Sequence, residues 1–225
     1  MAAGPHVFED GRIGCWIVSV SALDAGRLAA LRRLGFTDLF LRGPDGNLVA
    51  KRAVLKAGFT GCHAWWAVDG LTAAQYAARA LADVARWSPG AGDLNVELGS
   101  DAALEPYMRV AVGAIRAAKP NYRLRLNIAT RKAGFLPIDL VQNDPNLYAC
   151  EGAYFGNMDS RYSEADALDD LLAVGVERRK AAVCYAGAVA VGGITGTQRV
   201  AGIPQWLPRR GVVFQDDLLA EAGLL

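Results

Sequence analysis

Asp93, Asn95 and Glu97 sit two residues apart in the run Asp93-Leu-Asn-Val-Glu97. In an extended strand, alternate side chains share a face, so this run places three polar groups on one side and two apolar ones on the other. A carboxylate at the end of such a strand can act as a general acid if its surroundings are dry, because burial favours the protonated form. Arg123, Arg125 and Asn127 follow with the same alternation in Arg123-Leu-Arg-Leu-Asn127. If both strands turn these residues inward, they form a polar lattice with two readings. In one, Arg125 pairs with Asp93 or Glu97 to offset desolvation, a structural ion network. In the other, Glu97 stands higher on the strand and is the acid.

Further chemistry-bearing residues fall at predicted strand ends. Asp69 follows the third strand, Glu151 and Tyr154 lie on the sixth, Tyr185 on the seventh, and Gln215, Asp216 and Asp217 on the eighth. Each acid has an alternative role as a cap or a surface group, and Asp216 or Asp217 is suited to N-cap the closing helix. Glu151 is the best candidate for a second carboxylate. Trp65-Trp66 ends the third strand, so at least one indole points to the top or rim of the sheet, either as core or as a platform for a sugar ring. His63 lies in the same run, and Tyr154-Phe155 extends a platform of that kind.

These residues need a repeating frame to bring them together, and the chain supplies one. Ile13 to Val20 is a first strand, and Asp24 to Gly35 has helical periodicity with a glycine stop. The unit recurs as strand 37–42 with a helix over 49–57, strand 61–68 with a helix over 72–87, and strand 93–98 with a helix over 104–118. Strand 122–129 leads to a weaker segment at 135–141, strand 147–154 to a helix over 163–174, strand 181–191 to a glycine-containing loop at 192–196, and strand 211–215 to a short helix over 217–222. Strand and helix in alternation imply a parallel sheet, and eight units favour closure into a single-domain α/β barrel of the (β/α)8 type spanning 1–225. An open nucleotide-binding sheet is disfavoured, because no glycine fingerprint follows the first strand and Gly192-Gly-Ile-Thr-Gly196 lacks the required spacing.

Composition narrows the classes further. The 225 residues are 52% hydrophobic with a formal net charge of +1, enough for a substantial core and no electrostatic reason to bind nucleic acid. No apolar run approaches the roughly 18 residues of a membrane span, and Met1 to Asp10 lacks a secretory signal's basic and apolar regions. Cys15, Cys62, Cys150 and Cys184 are widely spaced in apolar runs, which reads as buried free thiols. Two histidines, His6 and His63, are too few for a histidine metal cluster, so neither metal nor cofactor is expected.

The segments 57–66, 71–78 and 93–97, followed by Tyr107 to Lys119, Tyr122 to Ala129 and Gly211-Val-Val-Phe-Gln-Asp-Asp217, resemble the family-25 glycoside hydrolases, the lysozyme-like muramidases of phage lysins. The resemblance implies a barrel with Glu97 as the acid that protonates the glycosidic oxygen. Asn95 replaces the first aspartate of the family's D-x-E strand, and Ile17-Val-Ser-Val-Ser21 offers no match to its first-strand aspartate. Asp93-x-Asn95-x-Glu97 is also similar to the D-x-x-D-x-D-x-E strand of the chitinase-like barrels, whose substrate assistance requires no protein nucleophile. Both resemblances imply an N-acetylated glycan as ligand, for which the candidate binding residues, taken from strand alternation and strand-end placement, are Asp93, His63, Trp65, Trp66, Asp69, Asn127, Tyr154, Tyr185 and Asp216. The expected protein is a lysozyme-like barrel of a phage virion, at the virion or the extracellular cell-wall surface, acting on bacterial cell-wall glycan. The alternative is a structural or receptor-binding tail component, in contact with other virion proteins, that keeps the barrel as a scaffold.

Overall fold

The computed structural model describes residues 14–17, 19–153 and 164–185. Seven strands, β1 (Gly14–Ile17), β2 (Asp38–Arg42), β3 (Gly61–Ala67), β4 (Gly92–Asn95), β5 (Leu124–Ile128), β6 (Leu147–Ala153) and β7 (Ala181–Tyr185), form one sheet in sequential order. All six pairings are parallel. Between them run α1 (Ala25–Arg33), α2 (Leu48–Lys56), α3 (Ala73–Trp87), α4 (Leu104–Ala118), α5 (Ile138–Asn143) and α6 (Glu164–Ala173). This is the α/β architecture of a TIM-type barrel. The expected eighth strand and closing helix, the 192–196 loop, Tyr154, Asp216 and the side chain of Tyr185 lie outside the described residues.

Helix starts follow the local chemistry. Asp24, Asn47 and Thr72 accept hydrogen bonds from Arg27 N, Ala50 N and Gln75 N, each satisfying an amide that the first helical turn leaves open. Thr72 and Gln75 complete a capping box, which makes α3 start where the sequence predicts. Gly35 and Gly58, just past α1 and α2, adopt φ of +91° and +88°, the left-handed turn that glycine makes without strain.

The sheet is curled, and one contact proves it. β1 and β4 are separated by two intervening strands, a span of about 14 Å in a flat sheet. Yet Trp16 Nε1 on β1 donates to Asp93 Oδ2 on β4 at 2.8 Å. Only a sheet bent around its own interior brings those side chains together.

Curling separates two cores. On the convex face, Cys15, Ile17, Leu39, Leu41, Cys62, Ala64, Trp66, Leu94, Leu124, Leu126 and Ala149 pack against the helices. Trp66 is fixed there by Nε1 donating to Asp83 Oδ2 at 2.9 Å, and Tyr76 OH donates to its carbonyl at 2.7 Å. On the concave face, Trp16, Phe40, Trp65, Ala91, Tyr148, Cys150 and Ala182 make a second, aromatic cluster. The alternation of each strand decides which core a residue joins.

β1 and β4 are shorter than the sequence predicts. β1 ends at Ile17, and Val20 belongs to a short 3-10 turn. β4 stops at Asn95, so Glu97 lies two residues beyond it and is exposed. The expectation of a buried Glu97 is thereby corrected, because the chain leaves the sheet before it. Cys15, Cys62 and Cys150 are buried.

Candidate functional site

The concave face carries a row of polar groups amid aromatic rings. Trp65 on β3, Asp93 on β4, Arg125 on β5 and Tyr148 on β6 are register neighbours. One step towards the C-terminal ends, Ala67, Asn95, Asn127 and Cys150 make the next layer.

Asp93 and Arg125 are completely buried. Arg125 Nη2 donates to Asp93 Oδ2, and that same oxygen receives Trp16 Nε1. The Arg125 guanidinium also lies 4.9 Å over the Phe40 ring, so a cation-π contact adds to the ion pair. Two dissimilar donors on one carboxylate oxygen compensate the desolvation that burying the charge entails. Asp93 Oδ1 and Asn95 Oδ1 are buried acceptors without a hydrogen-bond partner among the described residues. Asn95 Nδ2 donates to Glu97 Oε1 at 3.2 Å, which ties the exposed carboxylate to the buried row. Asn127 is fully buried beside Asn95. Asp93, Asn95, Glu97 and Asn127 are thus brought together, as the alternation predicts.

Other candidates fall elsewhere. Trp65 faces the interior, stacked on Trp16 with ring centroids 4.9 Å apart and planes 9° from parallel. With one face covered by Trp16, Nε1 donating to Ile17 O, and 7% exposure, the ring is mainly interior packing. Trp66 faces the helices. His63 is on the concave face but towards the N-terminal ends, where its Nε2 meets Asp38 Oδ1 at 2.9 Å. A Cβ at Gly61 would collide with both groups, which explains glycine there.

Glu151 lies on the convex face, in register with Ile128 and Val183. Its Oε1 accepts from Lys132 N at 2.6 Å and Ala133 N at 3.2 Å, so it fixes the turn after β5. Strand alternation directs this carboxylate away from Asp93 and Glu97, and the expectation of a second carboxylate beside Glu97 is corrected on that ground.

Asp69 stands at the rim after β3 with φ +48° and ion pairs to Arg79 at 2.8 Å and Arg42 at 3.3 Å. Arg42, Trp16, Phe40 and Tyr148 were not singled out from sequence as site residues. Their signal is the same alternation, since each is the inward member of an otherwise apolar strand. Among the described residues no group of three or more His, Cys, Asp or Glu side chains is placed to hold a metal ion.

No protein-family model matches the chain, and no curated protein does. Solved structures do. The catalytic domain of a hyperthermophilic chitinase from Pyrococcus furiosus superposes with a TM-score of 0.60 at 9% identity, covering 93% of this chain and 86% of that one. A family GH18 chitinase from Cycas revoluta, complexed with allosamidin, gives 0.59 at 13% identity over 78% of this chain and 69% of that one. The class V chitinase from Nicotiana tobaccum gives 0.58 at 14% identity over 78% of this chain, which spans 66% of the tobacco protein. These neighbours are chitinases and not family-25 muramidases, so the chitinase-like resemblance of strand four is the one matched in fold. Against that strand's D-x-x-D-x-D-x-E pattern, Asp93 and Glu97 keep their positions, Asn95 is an amide, and Gly90 stands where the first aspartate would be. The chain has the TIM-type barrel fold of these chitinases.

Proposed function

We propose that the barrel binds an N-acetylated glycan over the C-terminal ends of β3, β4 and β5, and that Glu97 is the general acid for cleaving it. In this reading the Glu97 carboxyl gives its proton to the glycosidic oxygen as the bond to the anomeric carbon breaks. The substrate's own acetamido oxygen attacks that carbon, so no protein nucleophile is required. The observation that carries the reading is the Asn95 to Glu97 hydrogen bond. It supports the reading because it holds the Glu97 carboxylate beside buried Asn95, at the C-terminal end of β4. Chitinases from Cycas revoluta solved in complex with (GlcNAc)3 and (GlcNAc)4 support the ligand class.

The polymer we propose is bacterial cell-wall glycan, encountered by a virion-associated protein at the cell-wall surface. What supports that setting is the family-25-like layout of residues 57–97. A second reading, a barrel that binds glycan or virion proteins without cutting, is favoured by the amide at Asn95 and by Gly90, which leave the strand-four pattern with two of its four carboxylates.

Release of reducing ends from chitin and from bacterial peptidoglycans, by the wild type beside Glu97→Gln, decides between them. Release that vanishes in a folded Glu97→Gln protein supports the hydrolase. Binding without release from any polymer supports the silent barrel, and neither binding nor release overturns the glycan reading.

A further inference from the structure

We propose that Arg42 reads a carboxylate on the bound glycan, so that the site favours an acidic N-acetylated glycan over a neutral one. The inference rests on the glycan reading above and adds to it a specificity-determining residue.

Arg42 is the last residue of β2 and shares the inward parity of Phe40 and Asp38. Its register neighbour on β3 is Trp65. The next inward residue of β3 is Ala67, which in turn neighbours Asn95 on β4. Two strand spacings, roughly 10 Å, separate the β2 and β4 ends. An oligosaccharide lying across them would meet Glu97 with one sugar and Arg42 with another.

The guanidinium is positioned but not used up. Of its five N–H donors, one bonds Asp69 Oδ2 at 3.3 Å, while Asp45 stays at 3.8 Å, an ion pair without a hydrogen bond. Its side chain is 37% exposed. Asp69 is itself held by Arg79 at 2.8 Å, which fixes it beside the Arg42 guanidinium. A planar fork with spare donors among the described residues, fixed at the rim by Asp69, matches the two oxygens of a carboxylate. Lys132, the rim cation on the other side of Glu97, is engaged by Asp101 and offers only a point charge.

The test uses three oligosaccharides of equal length: a peptidoglycan strand carrying muramic acid carboxylates, the same strand with those carboxyls reduced to alcohols, and a chito-oligosaccharide. Calorimetric titration is done on the Glu97→Gln background, so that nothing is consumed, with Arg42 intact, Arg42→Gln or Arg42→Lys, and melting curves for each. We expect the acidic strand to bind about fivefold more tightly than its reduced form, an advantage that falls with salt and disappears in Arg42→Gln. Arg42→Lys should keep only part of it, since charge remains without the fork. Equal affinity for acidic and reduced strands, or a preference that survives Arg42→Gln in a folded protein, overturns the role of Arg42 while leaving the glycan reading intact. Binding of none of the three overturns both.

Discussion

Asn95 Nδ2 donates to Glu97 Oε1 at 3.2 Å, and this bond joins a buried residue to an exposed one. The first follows from strand geometry and the second from the early end of β4. Glu97 therefore reaches solvent while its carboxylate is held from the barrel side.

Because Glu97 is exposed, replacing it should separate chemistry from folding. Glu97→Gln is expected to lower the rate of reducing-end release by about 10²- to 10⁴-fold, the usual contribution of a general acid. Its unfolding free energy should change by no more than about 0.5 kcal/mol, as for most surface substitutions. Paired turnover assays and urea melts check this; a large loss of stability would make Glu97 structural.

Asn95→Asp should act in the opposite sense on turnover. A carboxylate at this position supplies negative charge next to the sugar carbon where positive charge develops, and an amide does not. An increase of at least about tenfold in the hydrolysis rate is expected. The new charge enters a buried row that already holds Asp93, so a stability cost of about 1–3 kcal/mol should accompany it. Unchanged turnover in a folded variant would remove Asn95 from the chemistry.

The Asp93–Arg125 pair should be worth most when only one partner is lost. Arg125→Met leaves a buried carboxylate with Trp16 as its remaining donor among the described bonds, and a loss of about 3–5 kcal/mol is expected. The double variant Asp93→Asn with Arg125→Met removes both charges and should recover most of that loss. A double-mutant cycle by urea denaturation measures the coupling.

Alkaline pH should destabilise the fold. Burial pushes the Cys62 thiol up to about 12 from 9.0 and holds the Tyr76 and Tyr122 hydroxyls well above the ordinary tyrosine value. Burial likewise raises Tyr107 to about 12. In each case the unfolded chain loses its proton first, so the stability these neutral groups contribute is complete below pH 9 and is lost as pH rises towards 12. Urea midpoints measured from pH 8 to 11 should hold up to about pH 9 and fall beyond it. Native Cys62 should also resist alkylation at pH 8 and react once the protein is unfolded.

The sequence by itself determined the element order and the polar row. The helical pattern over 72–87 marked α3, the 93–97 and 123–127 alternations marked β4 and β5, and the repeating strand and helix marked a parallel sheet. These are local signals, set by the helical period and by the two-residue period of a strand. Only the tertiary structure decided that Glu97 lies outside β4, that Glu151 faces the helices, and that Trp65 is covered by Trp16. A strand's end depends on how far its neighbours pair with it. Which face is interior, and which distant ring fills it, depends on how the whole sheet curls, and the spacing of residues along one chain does not encode that curvature.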